Sequence, residues 1–263
     1  MKYNFVFDKE FLGNSRFELS EEEIHLVRVI VNGGHNVMLR GYKPERIVRA
    51  IKAIVSDTTT HIEEPPYTVS LEEFCGGGAD LKKGYVSLAD NGILIMNDID
   101  EFRASVVEMT VVPMRTGSIT LCHGGETVQY PSNFQLIATA KKDWNYGPLD
   151  SVAKFCEIDY LCKKDSCRSL VSLSELKNSI HYDWNSHLAN NSFTYKNQEL
   201  MSTDELAFTS EAREIYEGDI TSTFNTPFMI AKVARTVADM RGHINIRCAD
   251  LETARNLFTP QYV

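Results

Sequence analysis

Three short runs, HNVMLRG at 35–41, GILIM at 92–96 and FQLIATA at 134–140, carry adjacent apolar residues at their centres instead of one at every second position. Strands of that kind have to be covered on both faces. The runs are separated by segments with helical spacing, which predicts a parallel sheet sandwiched by crossover helices, an α/β architecture. Residues 19–31 read as a helix, with Ser20 as its cap, Glu21 to Glu23 in its first turn and an apolar stripe at Ile24, Val27 and Ile30. Gly33-Gly34 ends that helix, and Pro44 opens the next, PERIVRAIKAIV. EFRASVVEMTVVPMR reads as a helix behind GILIM, and residues 117–131 as a hairpin turning at Gly124-Gly125. From about 170 onward the spacing is that of helices alone. The expected organisation is an α/β core over 1–168, carrying hairpin insertions around 67–90 and 117–131, followed by a small helical lid domain over 169–263.

Length allows this, since 263 residues can bury one large core and a small appended domain. A formal net charge of −9 supplies no general field for nucleic acid or anionic lipid, so neither is an expected partner. The Lys82-Lys83, Lys141-Lys142 and Lys163-Lys164 pairs read as solvated surface. No apolar run approaches the roughly 18 residues of a membrane span, and the first residues lack the basic-then-apolar layout of a signal peptide. A cytoplasmic location is expected. Cys156, Cys162 and Cys167, with His181 or His187, could form a zinc site or be ordinary thiols. Their spacing is looser than a zinc site's C-x(2–4)-C pairs and favours thiols.

Four segments carry a resemblance: GGHNVMLRG (33–41), GGGADLKKGYVSLADNGILIMNDIDEFRASVVE (76–108), GSITLCHGGETVQYPSNFQLIATA (117–140), and FTSEAR followed by AKVARTVADMRG (208–242). In this order they resemble the AAA+ domain of the magnesium-chelatase family, including its competence-associated branch. The resemblance implies a P-loop-type fold, with the nucleotide site running from the first strand's end to the lid.

Aligned on that family, the site is poorly equipped. A P-loop reads GxxxxGK[ST], so that glycine N–H groups wrap the phosphates, the lysine reaches the β and γ phosphates, and the hydroxyl holds Mg²⁺. Here the eight positions are GYKPERIV, from Gly41 through Tyr42, Lys43, Pro44, Glu45 and Arg46 to Ile47 and Val48. Arg46 stands for the second glycine, Ile47 for the lysine and Val48 for the hydroxyl. Glu45, near a helix N-terminus, could occupy a phosphate's place, and Lys43 or Arg46 could supply charge. The Mg²⁺-ordering acidic pair appears as Asn97-Asp98, of which only Asp98 is charged. Asp98, Asp100 and Glu101 admit a second reading as a carboxylate cluster, with solvated acids the simpler account. The polar residue after the FQLIATA strand is Lys141. The lid arginines map near Asn225 and Met229, and YGPLDSVAKFCEID lacks its arginine, leaving Arg115 or Arg168 as substitutes. His35 and Asn36 could still hold an adenine.

The vestigial pocket is therefore His35, Asn36, Gly41, Tyr42, Lys43, Glu45, Arg46, Asn97, Asp98, Lys141 and Asn225, with no catalytic residue and no metal site. No cofactor is expected, and ATP or ADP with Mg²⁺ is kept only as the alternative. The leading expectation is a pseudo-ATPase that works through protein partners, either itself or an active AAA+ ATPase. The alternatives are an ATP- or ADP-binding protein with weak or no hydrolysis, and a DNA-processing subunit.

Overall fold

The computed structural model describes residues 15–56, 60–141, 150–178, 202, 206–219 and 226–257. The chain enters through β1 (Arg16–Leu19) and α1 (Glu21–Gly33). Ser20 caps α1 reciprocally: its Oγ accepts the Glu23 N–H at 3.2 Å, and the Glu23 carboxylate accepts the Ser20 N–H at 3.0 Å. The two glycines that end α1 have different reasons. Gly34 takes φ 65°, the left-handed cap conformation. Gly33 is needed for space, because a Cβ there would stand 2.3 Å from His35 Nε2 and 2.6 Å from Thr236 Oγ1.

Next come β2 (Val37–Gly41), α2 (Glu45–Val55) and the two-residue β3 (Ile62–Glu63). An excursion follows, with α3 (Leu71–Cys75), the paired β4 (Gly76–Gly77) and β5 (Lys82–Lys83), and α4 (Tyr85–Leu88). The chain returns to the sheet at β6 (Gly92–Met96), makes a 3₁₀ turn at Ile99–Glu101 and runs into α5 (Ala104–Thr116). β7 (Ser118–His123) and β8 (Glu126–Pro131) pair antiparallel about Gly124-Gly125. Then follow β9 (Phe134–Ala140), α6 (Asp150–Ala153), β10 (Ile158–Cys162), β11 (Ser169–Ser172) and α7 (Leu173–Asn178). The described lid helices are α8 (Ser210–Asp219), α9 (Thr226–Met240) and α10 (Cys248–Asn256).

The central sheet is parallel throughout, in the order β10-β2-β9-β6-β3, with helices on both faces, as in the P-loop AAA+ fold. Its strands show why the sequence runs are continuous. Val37 and Leu39 of β2, Ile93 and Ile95 of β6, and Ile137 of β9 join one core with α1, α2 and the lid helices. Met38, Leu94, Met96, Leu136 and Ala138, the alternate positions, join a second core with α5 and the β7–β8 hairpin. No helix among the described residues is long and apolar enough to cross a membrane.

Three strands differ from the sequence reading. β10 forms one edge of the sheet, and β1 pairs antiparallel with β11, so the stretch beyond 168 is not helical alone. β10 hides because Asp159 interrupts its apolar pattern. That carboxylate accepts from Arg40 Nε of neighbouring β2 at 2.7 Å, and both residues are buried. A buried polar residue with a cross-strand partner keeps a strand intact while erasing its hydrophobic signature.

A second buried polar group ties the lid to the sheet. His35 is fully buried, shares a 2.8 Å hydrogen bond with Thr236 of α9, and has its pKa pulled down to about 3 by burial and by Lys232. The His35 carbonyl accepts from Gln135 Nε2 at 2.8 Å. Asn36 Oδ1 accepts the Leu136 N–H at 2.7 Å, its Nδ2 donates to the Phe155 carbonyl at 3.2 Å, and its N–H donates to Glu157 at 2.8 Å. Lys232 of α9 stands 4.0 Å from Glu157. Burial raises the Glu157 pKa from 4.5 to about 7, against the opposing pull of Lys232 and the Asn36 N–H. A carboxyl whose folded pKa exceeds its unfolded value costs stability progressively from pH 4.5 to 7, and the full cost stands above pH 7. Glu157→Gln keeps an oxygen for the Asn36 N–H and removes the charge. The variant should gain on the order of 3 kcal/mol over the parent at pH 8 and nothing at pH 4, read from urea unfolding at the two pH values.

Candidate functional site

A parallel sheet gathers its loops at the carboxyl ends of its strands, which is where an open α/β sheet binds ligands. Gly41, Asn97-Asp98, Lys141 and Cys162 mark those ends on β2, β6, β9 and β10. Tyr42, Lys43, Glu45 and Arg46 continue from Gly41, so the structure brings these predicted site residues to one edge. His35 and Asn36 are not part of it. They precede β2, at the opposite end of the strand, and serve the buried lid attachment described above. Asn225 lies outside the described residues.

The loop after β2 is held by its own polar groups. Gly41 has φ 94°, and a Cβ there would meet the Cys162 carbonyl at 2.7 Å. Tyr42 N–H donates to that same carbonyl at 2.9 Å. Lys43 takes φ 50°, a left-handed conformation that costs a non-glycine residue roughly 1 kcal/mol. Its carbonyl accepts the Arg46 N–H at 3.4 Å, while the Pro44 carbonyl accepts from Ile47 at 3.0 Å and Val48 at 3.4 Å. Pro44 has no N–H, so most of the loop's donors are absent or already engaged.

Arg46 fills the middle of the loop. Its Nη1 donates to the carbonyls of Tyr42 at 2.7 Å and Lys43 at 3.0 Å, so the loop turns acceptors inward where a phosphate would need donors. Its Nη2 bonds to the Glu23 carboxylate, and its Nε stands 3.4 Å from Glu23 Oε2. Glu23 has no exposed side-chain surface, and Arg168 Nε lies 3.5 Å from it on the β10–β11 connection. The guanidinium of Arg168 is 5.7 Å from the Tyr42 ring centre, and that of Arg46 5.9 Å. Glu45, the predicted occupant of the phosphate position, is exposed, and Arg46 stands inside the loop instead. Ile47 and Val48, at the lysine and hydroxyl positions, are buried in the first core.

At the next strand end, Asn97 Nδ2 donates to Glu64 at 2.6 Å, and Lys52 bonds the other Glu64 oxygen at 2.5 Å. Asp98 takes φ 52°, and its N–H donates to Thr139 Oγ1 at 2.8 Å. Lys141 is ion-paired to Glu101 and stands 3.8 Å from Asp100, and these contacts raise its pKa, the Glu101 hydrogen bond foremost. The acids read as a cluster are thus joined to a cation from the neighbouring strand.

Among the alternatives for a missing arginine, Arg168 is committed to Glu23, and Arg115 is exposed in the last turn of α5. Met229 sits half-buried in α9. Cys156 and Cys162 are buried and Cys167 exposed, and burial raises the Cys162 thiol pKa to about 12. No cluster of potential metal ligands occurs among the described residues, and His181 and His187 lie outside them.

Glu23, Glu64, Lys52 and Thr139 were missed by reading the sequence. Glu23 had a signal, the S-x-x-E capping box, but nothing local reveals that its carboxylate also meets two distant arginines. Truncating it would strand both. Glu23→Ala should cost about 3 kcal/mol or more in urea unfolding. Glu64→Ala, which breaks a partly exposed pair, should cost under about 1 kcal/mol.

A family profile described as magnesium chelatase, subunit ChlI, matches residues 45–166, beginning at the first residue of α2. The competence protein ComM of Haemophilus influenzae is 34% identical over 74 residues, covering 28% of this chain and 14% of its own length. YifB of Salmonella typhimurium is 38% identical over 74 residues, covering 28% and 15%. Rv2897c of Mycobacterium tuberculosis is 28% identical over 99 residues, covering 35% and 20%. The chain therefore spans a fifth or less of the curated relatives it matches. Through residues 45–166, set in a parallel P-loop-type sheet, the chain is similar to the magnesium-chelatase subunit ChlI family.

Proposed function

We propose that this chain is a non-hydrolysing AAA+-type module of the cytoplasm that acts through protein contacts, with copies of itself or with an active ATPase of the same fold. The observation that carries the proposal is the Arg46 guanidinium inside the loop after β2, held by the Tyr42 and Lys43 carbonyls and by Glu23. A triphosphate entering the loop would have to displace an arginine that neutralises a fully buried carboxylate, and would then face inward carbonyls. The positions aligned with the P-loop lysine and hydroxyl belong to buried Ile47 and Val48, which have no means of holding phosphate or Mg²⁺. Asn97 and Lys141 are engaged with Glu64 and Glu101, so the second half of the site offers little to a hard cation. Without these groups, the described residues around the loop leave transition-state charge in phosphoryl transfer without its usual stabilisers. The fold meanwhile keeps both of its cores, which supports a role resting on shape. Six free thiols suit a reducing compartment.

Titration calorimetry with ATP and with ADP, each with and without Mg²⁺, tests the reading. It expects no heat of binding at millimolar nucleotide, and a sedimentation mass that nucleotide leaves unchanged. Micromolar, Mg²⁺-dependent binding would overturn it in favour of a nucleotide-binding protein.

A further inference from the structure

Four carboxyl-bearing side chains are buried among the described residues, and three of them meet arginine. Glu23 is bonded to Arg46, Asp159 to Arg40 at 2.7 Å, and Asp250 to Arg241 at 2.7 Å. Glu157 has a lysine instead: Lys232 Nζ stands 4.0 Å from its Oε1, too far for a hydrogen bond. A bonded guanidinium holds a carboxylate by charge-assisted hydrogen bonds as well as by attraction. An ammonium at 4.0 Å supplies the attraction alone. Of the four, Glu157 is therefore the one whose ionised form is least compensated for the water it has lost.

Glu157 also stands where the lid meets the sheet. Its Oε2 accepts the Asn36 N–H at 2.8 Å from the segment before β2, and its cation belongs to α9. The other titratable groups of this seam keep one charge state near neutral pH. His35, bonded to Thr236 of α9, stays neutral, its pKa held near 3 by burial and then by Lys232. Cys156 is a buried thiol whose pKa is pushed far up by burial, then by Glu157 and Asp159. Asp159 is paired with Arg40. Glu157, with its pKa raised to about 7, is the group that changes charge there. The apolar grip of α9 is modest by comparison. Its fully buried apolar side chains are Ala231, Val233, Ala234, Val237 and Ala238, each with less area to bury than leucine or isoleucine.

We propose that this seam is a proton-operated latch: the neutral carboxyl of Glu157 fastens α9 to the amino ends of the strands, and ionisation of that carboxyl makes α9 part from the sheet more often. The neutral form still offers an oxygen to the Asn36 N–H and bears no buried charge. Parting returns the carboxyl to water and to its ordinary pKa of 4.5, so docking takes up a proton and undocking releases it. The docked pKa is the higher one, so docking is strongest below pH 4.5, weakens progressively up to pH 7 and stays at its weakest above that. The latch lies at the opposite end of the strands from the loop after β2, and it stands whether or not that loop takes nucleotide.

The test is amide hydrogen exchange on the full chain in dilute urea at pH 6 and pH 8, each rate divided by that amide's intrinsic rate. The α9 amides should exchange through an opening with a smaller urea dependence than that of the β6 amides, because only part of the fold comes apart. The equilibrium constant of that opening should be about tenfold larger at pH 8 than at pH 6, as a carboxyl pKa near 7 docked and 4.5 undocked requires. Glu157→Gln should abolish the difference, and Glu72→Gln, at an exposed position on α3, should preserve it. The proposal is overturned by α9 amides that exchange only with the urea dependence of β6, by an opening constant equal at the two pH values, or by a Glu157→Gln variant that keeps the tenfold difference. The first two outcomes are read on the parent chain, so a variant that fails to fold does not decide the matter.

Discussion

Glu23 is a carboxylate with no exposed surface, and the β2 and β10 side of the sheet's carboxyl edge is arranged around neutralising it. The cost of burying an ion is several kcal/mol, recovered only when its oxygens are bonded and its charge is matched. The Ser20 N–H, Arg46 and Arg168 together meet that demand. Meeting it fixes three separate parts of the chain. It sets the start of α1, turns the loop after β2 so that its carbonyls face inward, and draws the β10–β11 connection across the mouth of the sheet. Tyr42, against both guanidiniums, shields the cluster from water on the exposed side. A loop built to hold an anion would have the opposite polarity: donors inward, and the positive charge supplied from one side. In this chain the cation sits at the centre.

The opposite edge follows another rule. His35 and Asn36 lie where α1, β2, β9, the approach to β10 and the lid helix α9 meet, and their bonds run to backbone as often as to side chains. Such contacts stabilise less by their own strength than by the penalty for breaking them, since each buried donor or acceptor left unpaired costs about 1–3 kcal/mol. The same stretch explains the double glycine before it. One glycine turns the chain, and the other leaves room for the imidazole and the Thr236 hydroxyl.

The sequence was readable where one physical effect acted alone. Continuous apolar runs gave β2, β6 and β9, because a strand buried on both faces has no other simple pattern. Ser20 and Gly34 bounded α1 through local backbone chemistry, which needs no knowledge of the rest of the fold. Legibility ended where two effects competed. In β10 the Arg40–Asp159 pair broke the hydrophobic signal. β1 and β3 are too short to show a period. At the site, alignment located the loop and offered Glu45 as a residue that could stand in a phosphate's place, with Lys43 or Arg46 as sources of charge. Arg46 stands inside the loop, bonded to Glu23, twenty-three residues earlier, a partnership that no local spacing reveals. His35 and Asn36 were placed beside a base by the same alignment, although their neighbours in space, Thr236 and Glu157, are more than a hundred residues away in sequence.

The fastening of α9 has a mechanical corollary. In enzymes whose lids swing, the surfaces that part are those that can be wetted at little cost. Here, parting would bare an imidazole, a hydroxyl, an ammonium and a carboxylate, all now sheltered at one seam. A displacement of α9 would therefore be opposed at Thr236 and Lys232, which tie it to the amino ends of the strands. Any side chain at Gly33 would press on both halves of that seam at once, the imidazole on one side and the Thr236 hydroxyl on the other.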